Sequence, residues 1–209
     1  VTEIDAQDHV QAVFEGGMYT FVFLWTPTLS PQGEDIPYGF VFSMYMVSSM
    51  AGSAIAGHLF NLGYKPEKFM RWVFFVASLC MAVPIAFHAH KETDASGKAH
   101  LHQQITGAGM LQCLAFCIFE ICIGIFWPSM MRLRAHYLPD EQRATLINFF
   151  RVPLNLFVCI VLYNVAAFPL SVMFGLCSVF MLINCACCNV FASILGREER
   201  TNKGIAGLL

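Results

Sequence analysis

The chain has 209 residues, 57% of them hydrophobic and only 12% charged, with a formal net charge of −2 and a mean hydropathy of +0.60. A soluble domain carries about 25% charged residues, so this composition excludes an ordinary soluble domain. It points to an all-α membrane protein that crosses the bilayer several times, and the slight acidity gives no footing for a nucleic-acid partner.

The chain opens on Val1 and an acidic stretch with Glu3, Asp5 and Asp8. That is neither a start methionine nor the basic opening of a signal peptide, so the sequence reads as a segment of something longer. A bilayer core takes about 20 apolar residues per helix. Six stretches meet that length, at roughly 10–29, 38–62, 69–88, 104–131, 144–167 and 170–195. The first contains Glu15 and ends near Pro27, before the turn-like 30–33. The second contains His58 and stops at Gly63-Tyr64-Lys65-Pro66. The third precedes the hydrophilic stretch 90–102, and the fourth, with Glu120, precedes Leu138-Pro139-Asp140. The fifth holds Arg151, and only Phe168-Pro169 separates it from the sixth. A polar tail, 196–209, closes the chain. Gly and Pro at these breaks stop helices for steric reasons.

Basic residues set the orientation. Lys65, Lys68 and Arg71 lie after the second span, and Arg132, Arg134 and Arg143 after the fourth. Arg197, Arg200 and Lys203 lie in the tail, which puts nine of the twelve Lys and Arg on one side. The positive-inside rule makes that side cytoplasmic, and six spans then place both ends of the segment there. All nine cysteines fall in apolar stretches, so no disulfide framework is expected. Cys185-Ala186-Cys187-Cys188 has no His, Asp or Glu beside it, and we read these as packing thiols. No metal or cofactor is expected.

Arg151 is the costliest residue in the spans. A guanidinium keeps its charge, and holding one at bilayer depth costs from about 2.5 to 10 kcal/mol or more. Helix rise, ~1.5 Å per residue, puts Arg151 about 12 Å beyond Arg143 and Glu120 about 18 Å before Arg132. Two readings stay open. Arg151 pairs with Glu120 or Glu15 and only joins helices, or it binds an anion in a cavity with proton-exchanging carboxylates. His58, near the cytoplasmic end of its span, reads as interfacial.

The second span is rich in small residues, with Ser48, Ser49, Ala51, Gly52, Ser53, Ala54, Ala56 and Gly57. Such residues let helix backbones approach closely, whether at a sliding interface or in ordinary tight packing. Phe14-Glu15 with Pro27, and Phe119-Glu120 with Pro128, form a weak echo three spans apart. An odd number of spans per unit makes two such copies inverted, a transporter pattern.

The run Phe14-Glu15-Gly16-Gly17-Met18-Tyr19-Thr20 to Trp25-Thr26-Pro27 resembles the seventh helix of the molybdate-anion transporters. This family of the major facilitator superfamily is also called major facilitator superfamily domain-containing protein 5. Trp127-Pro128-Ser129-Met130 and Asn148-Phe149-Phe150-Arg151-Val152-Pro153-Leu154 are similar to its tenth and eleventh helices. The loop from Gly57 to Lys65 resembles the superfamily's cytoplasmic Gly-rich basic loop, but has Asn61 for the usual Asp and one residue fewer before the Gly.

The resemblance implies that residues 1–209 form the C-terminal six-helix half, two inverted three-helix repeats, of a twelve-helix carrier whose N-terminal half is its missing partner. It implies a multi-pass protein, in the plasma membrane, that carries molybdate or a similar oxyanion by alternating access. Arg151 would bind the oxyanion, Asn148, Asn155 and Tyr19 would assist, and Glu15 and Glu120 would serve proton coupling or gating. Rival readings are a facilitator for another small solute (sulfate, an organic anion or a sugar) and a half-carrier acting only through interactions. No Ser/His, His-Glu-x-x-His or paired-Asp arrangement lies at depth, so an enzyme is not expected.

Overall fold

The computed structural model describes residues 2–29, 36–93, 107–137 and 168–206, together with 152, 156, 159, 160 and 163. Five long helices appear in chain order: α1 (Thr2–Leu29), α2 (Tyr38–Asn61), α3 (Pro66–Thr93), α4 (Gly107–Tyr137) and α5 (Leu170–Ala206). Four have stretches long and apolar enough to cross a membrane: Tyr38–Asn61, Pro66–Ala86, Gly109–Ala135 and Leu170–Val190. The first expected span lies within α1 but is not among these four. Gln11, Glu15, Tyr19 and Thr20 dilute its apolar character. The fifth expected span lies outside the described residues, save five positions between 152 and 163. Those five are helical and exposed, and their spacing sets them on one helix face.

The turn between α2 and α3 is closed by local hydrogen bonds. Gly63 N–H donates to the Phe60 carbonyl at 3.0 Å, and Tyr64 N–H donates to Leu59 at 3.0 Å. Together they form a Schellman cap, whose penultimate residue must take a left-handed conformation. Gly63 does so, with φ of 80°, a region that side chains with a Cβ avoid. Pro66 then opens α3, where its missing N–H costs nothing. This compact turn fixes the approach of α3 to the ends of α2 and α4.

Phenylalanine fills the core. Phe14 of α1 stacks on Phe126 of α4 with ring centroids 3.8 Å apart, and Phe74 of α3 lies 5.6 Å from Phe14. Further along α1, Phe21 meets Phe116 and Phe119 edge-on, each at 5.0 Å. Phe14 therefore pairs with a late residue of α4 and Phe21 with earlier ones, so α1 and α4 run antiparallel. All six rings are fully buried or nearly so, and such pairs add about 0.5–1.5 kcal/mol each beyond the area they bury.

The α2–α4 pair is held differently. A Cβ on Gly52 would overlap the backbone of Ile121, and one on Gly124 would overlap the backbone of Ser49. The two backbones therefore touch at reciprocal glycines, which suits Cα–H···O contacts. Tyr45 lies against Phe116 and, further down, Arg132 lies over the Phe60 ring, so α2 and α4 run parallel. Of the small residues of the second span, Ser49, Gly52 and Ser53 thus serve close backbone packing on α4, while Ala51 and Ala54 are exposed. Between α3 and α5, Ser78 and Ser178 face each other. Their hydroxyls lie 2.9 Å apart, and the Ser178 hydroxyl donates to the Ser78 carbonyl at 3.0 Å. The outward faces carry large apolar side chains such as Phe40, Met50, Trp72 and Leu79, as lipid-facing helices require.

Candidate functional site

Buried polar side chains are carried on α1, α2 and α4. On α1, Gln11, Glu15 and Tyr19 follow at intervals of four and so share one stripe. Glu15 is only 2% exposed, and Gln11 donates its side-chain amide to the Glu15 carboxylate. Tyr19, one turn further, is half-buried. Phe14 and Phe21 turn the adjacent face of α1 toward α4, while Gly17 sits against Cys177 and Met181 of α5. The carboxylate of Glu15 is thereby carried on a face distinct from the one packed on α5.

On α4, Glu120 is 6% exposed. It follows Phe116 by one turn and falls between the face toward α1 and the Gly124 face toward α2. Tyr45 of α2 is 1% exposed and ringed by Phe21, Trp25 and Phe116, with centroids 6.2, 5.3 and 6.4 Å away. Its hydroxyl is buried and meets no well-formed hydrogen-bond partner among the described residues. Glu120 and Cys113 lie within electrostatic reach of it.

The two carboxylates sit at different depths. The antiparallel register that sets Phe14 beside Phe126 and Phe21 between Phe116 and Phe119 puts Glu120 level with Thr20. Glu15 is then five residues nearer the start of α1, an offset of ~7.5 Å along the axis. Tyr19, by the same register, lies at the level of Glu120. Arg151, Asn148 and Asn155 lie outside the described residues.

The sequence reading omitted Tyr45 and Gln11. Gln11 carried a signal, four residues before Glu15 in an otherwise apolar run. Tyr45 carried none, because one tyrosine among Phe and Met looks like core. His58 is exposed in the last turn of α2. Among the described residues no group of three metal-ligating side chains comes together. Cys185 and Cys188 are half-buried on α5 and Cys187 is exposed.

A family model within the major facilitator group, described as sugar transporters with twelve transmembrane segments, matches residues 2–116, more than half of the chain. The chain belongs to this major facilitator family. Individual relatives refine the placement of this major facilitator chain. It is 34% identical over 154 residues to a molybdate-anion transporter of Takifugu rubripes, covering 72% of this chain and 28% of that protein. The molybdate-anion transporter of Xenopus laevis is 30% identical over 183 residues, covering 85% of this chain and 37% of its own length. That of Danio rerio is 33% identical over 154 residues, covering 72% and 28%. The matches thus span between about a quarter and two fifths of the curated relatives' length. No solved structure gives a significant match. Family and helices together make this a multi-pass membrane protein of a transporter family.

Proposed function

We propose that this chain is the C-terminal six-helix half, arranged as two inverted three-helix repeats, of a major facilitator carrier that moves a molybdate-type oxyanion by alternating access. The observation that carries the reading is the burial of Glu15, Glu120 and Tyr45 within the helices of a chain similar to molybdate-anion transporters. Glu15, Glu120 and the Tyr45 hydroxyl are held at depth among helices whose outer faces are apolar. Buried ionisable groups are costly and mark pathways in membrane proteins. On this reading Arg151 binds the oxyanion through charge-assisted hydrogen bonds. Asn148, Asn155 and Tyr19 complete its ligand shell, and Glu15 and Glu120 carry protons or gate the path. Both ends of the segment face the cytoplasm, the carrier sits in the plasma membrane, and an N-terminal six-helix half completes it.

The test is uptake of labelled molybdate by cells that express the full-length protein. Arg151→Gln, at normal surface level, abolishes uptake. Arg151→Lys also impairs it, because an ammonium lacks the planar fork that grips two oxyanion oxygens. Native uptake by Arg151→Gln would sink the assignment. The family description favours one second reading, a sugar as substrate. Protein-dependent uptake of a labelled sugar, with no protein-dependent uptake of labelled molybdate, would select it.

A further inference from the structure

A cavity of about 390 Å³ opens at the far end of the helices from the α2 N-terminus. It is lined by the α2–α3 turn (Gly63, Tyr64, Lys65), the first residues of α3, and Arg132 and Leu133 of α4. Its size falls in the range of small-molecule sites, about 300–1,000 Å³. Its electrostatics are positive on balance. Lys65 and Arg132 line it together with one carboxylate, Glu67, and Lys68, Arg71 and Arg134 lie within a few residues in sequence. Glu67 occupies the first turn of α3, where the helix dipole already offsets a negative charge. The Schellman turn and Pro66 make the wall rigid, and the Arg132 guanidinium is held over the Phe60 ring at 4.6 Å.

The depth of the cavity narrows the ligand. Tyr64 is exposed in the lining and Trp72 is exposed on α3, with the Arg71 guanidinium 5.5 Å from its ring. Exposed Trp and Tyr beside Arg mark the level of lipid headgroups. A preformed basic pocket between membrane helices at that level matches the chemistry of a phosphate-bearing headgroup.

We propose that this cavity binds a phosphate group, with Arg132 and Lys65 as its ligands. The inference does not depend on what the carrier transports. The probes are dioctanoyl phosphatidylglycerol, dioctanoyl phosphatidylcholine and inorganic phosphate, added to the full-length protein in detergent. Binding is read by native mass spectrometry and by the shift of the thermal unfolding midpoint. Wild type binds the phosphatidylglycerol more tightly than the zwitterionic lipid. Arg132→Gln weakens that binding about fivefold, and Arg132→Gln with Lys65→Gln about twenty-five-fold. Lys68→Gln, whose side chain lies outside the lining, changes it less than about twofold. Arg132→Lys keeps the charge and most of the binding, so it separates loss of the ligand from loss of the fold. Displacement by millimolar inorganic phosphate, lost in the same variants, supports the phosphate site and makes its source soluble rather than lipid. Unchanged phosphatidylglycerol binding in the double variant, or an equal fall in Lys68→Gln, overturns the proposal.

Discussion

Gly124→Ala tests the α2–α4 contact most directly. Added at Gly124, a methyl meets the backbone of Ser49 and Ser53, and no side chain can rotate out of the way. The two helices must separate by on the order of 1 Å to restore ordinary C···O contact of about 3.3 Å. Overpacking of this kind costs about 1–3 kcal/mol, and rigid backbone puts it at the upper end. Alanine returns up to about 1 kcal/mol as the better helix former. The net expectation is a loss of about 1–2 kcal/mol, a drop in the unfolding midpoint of several degrees. Gly39→Ala on the exposed side of α2 is the control, because nothing among the described residues lies within 4 Å of the added atom. Thermal unfolding of the purified protein in one detergent, followed by intrinsic tryptophan fluorescence, reads both. If Gly124→Ala unfolds at or above the midpoint of Gly39→Ala, backbone contact is not what sets the α2–α4 distance.

Three further outcomes are expected. Tyr45→Phe removes a buried hydroxyl with no well-formed hydrogen bond among the described residues, so stability stays level or rises by up to about 1 kcal/mol, while molybdate uptake falls; a marked loss of stability would contradict this. A double-mutant cycle on Ser78→Ala and Ser178→Ala gives a coupling of about 0.6 kcal/mol and no more than about 1.7; zero coupling in denaturant titrations would remove the pair as an α3–α5 link. A second cycle, Glu120→Gln with Arg151→Gln, gives less than about 1 kcal/mol in the absence of substrate if Arg151 serves the oxyanion. Coupling of 3–5 kcal/mol, the scale of a broken buried pair, would make it a structural ion pair instead.

What the sequence made legible follows from which forces act locally. The α2–α3 turn could be read from Gly63-Tyr64-Lys65-Pro66, because the Schellman cap needs only residues 59–64 and one left-handed position. Glu15 and Glu120 stood out because few ionisable groups interrupt apolar runs. The small residues of α2 announced a close contact but not its partner, since Gly124 is a single glycine between two isoleucines. Periodicity gives the face of a helix and not the neighbour that covers it. Tyr45 illustrates the same limit: its environment of Phe21, Trp25 and Phe116 comes from two other helices.

The two kinds of helix contact divide the bundle mechanically. Backbone touches backbone where α2 meets α4, so any relative shift must break a close fit. At the α1–α4 boundary the contact runs through ring faces and edges, and the backbones approach each other at few points. The ring contacts make the α1–α4 boundary less interlocked than the α2–α4 one, while α1 is also held against α5 at Gly17. Tyr45 and Glu120 belong to the rigid pair, and Glu15 and Tyr19 ride on α1. On the proposed carrier reading, a shift of α1 would change the ~7.5 Å axial offset between Glu15 and Glu120 and would also move Phe21 and Trp25 against Tyr45. Glu15, already held by Gln11 on its own helix, keeps that hydrogen bond through such a shift.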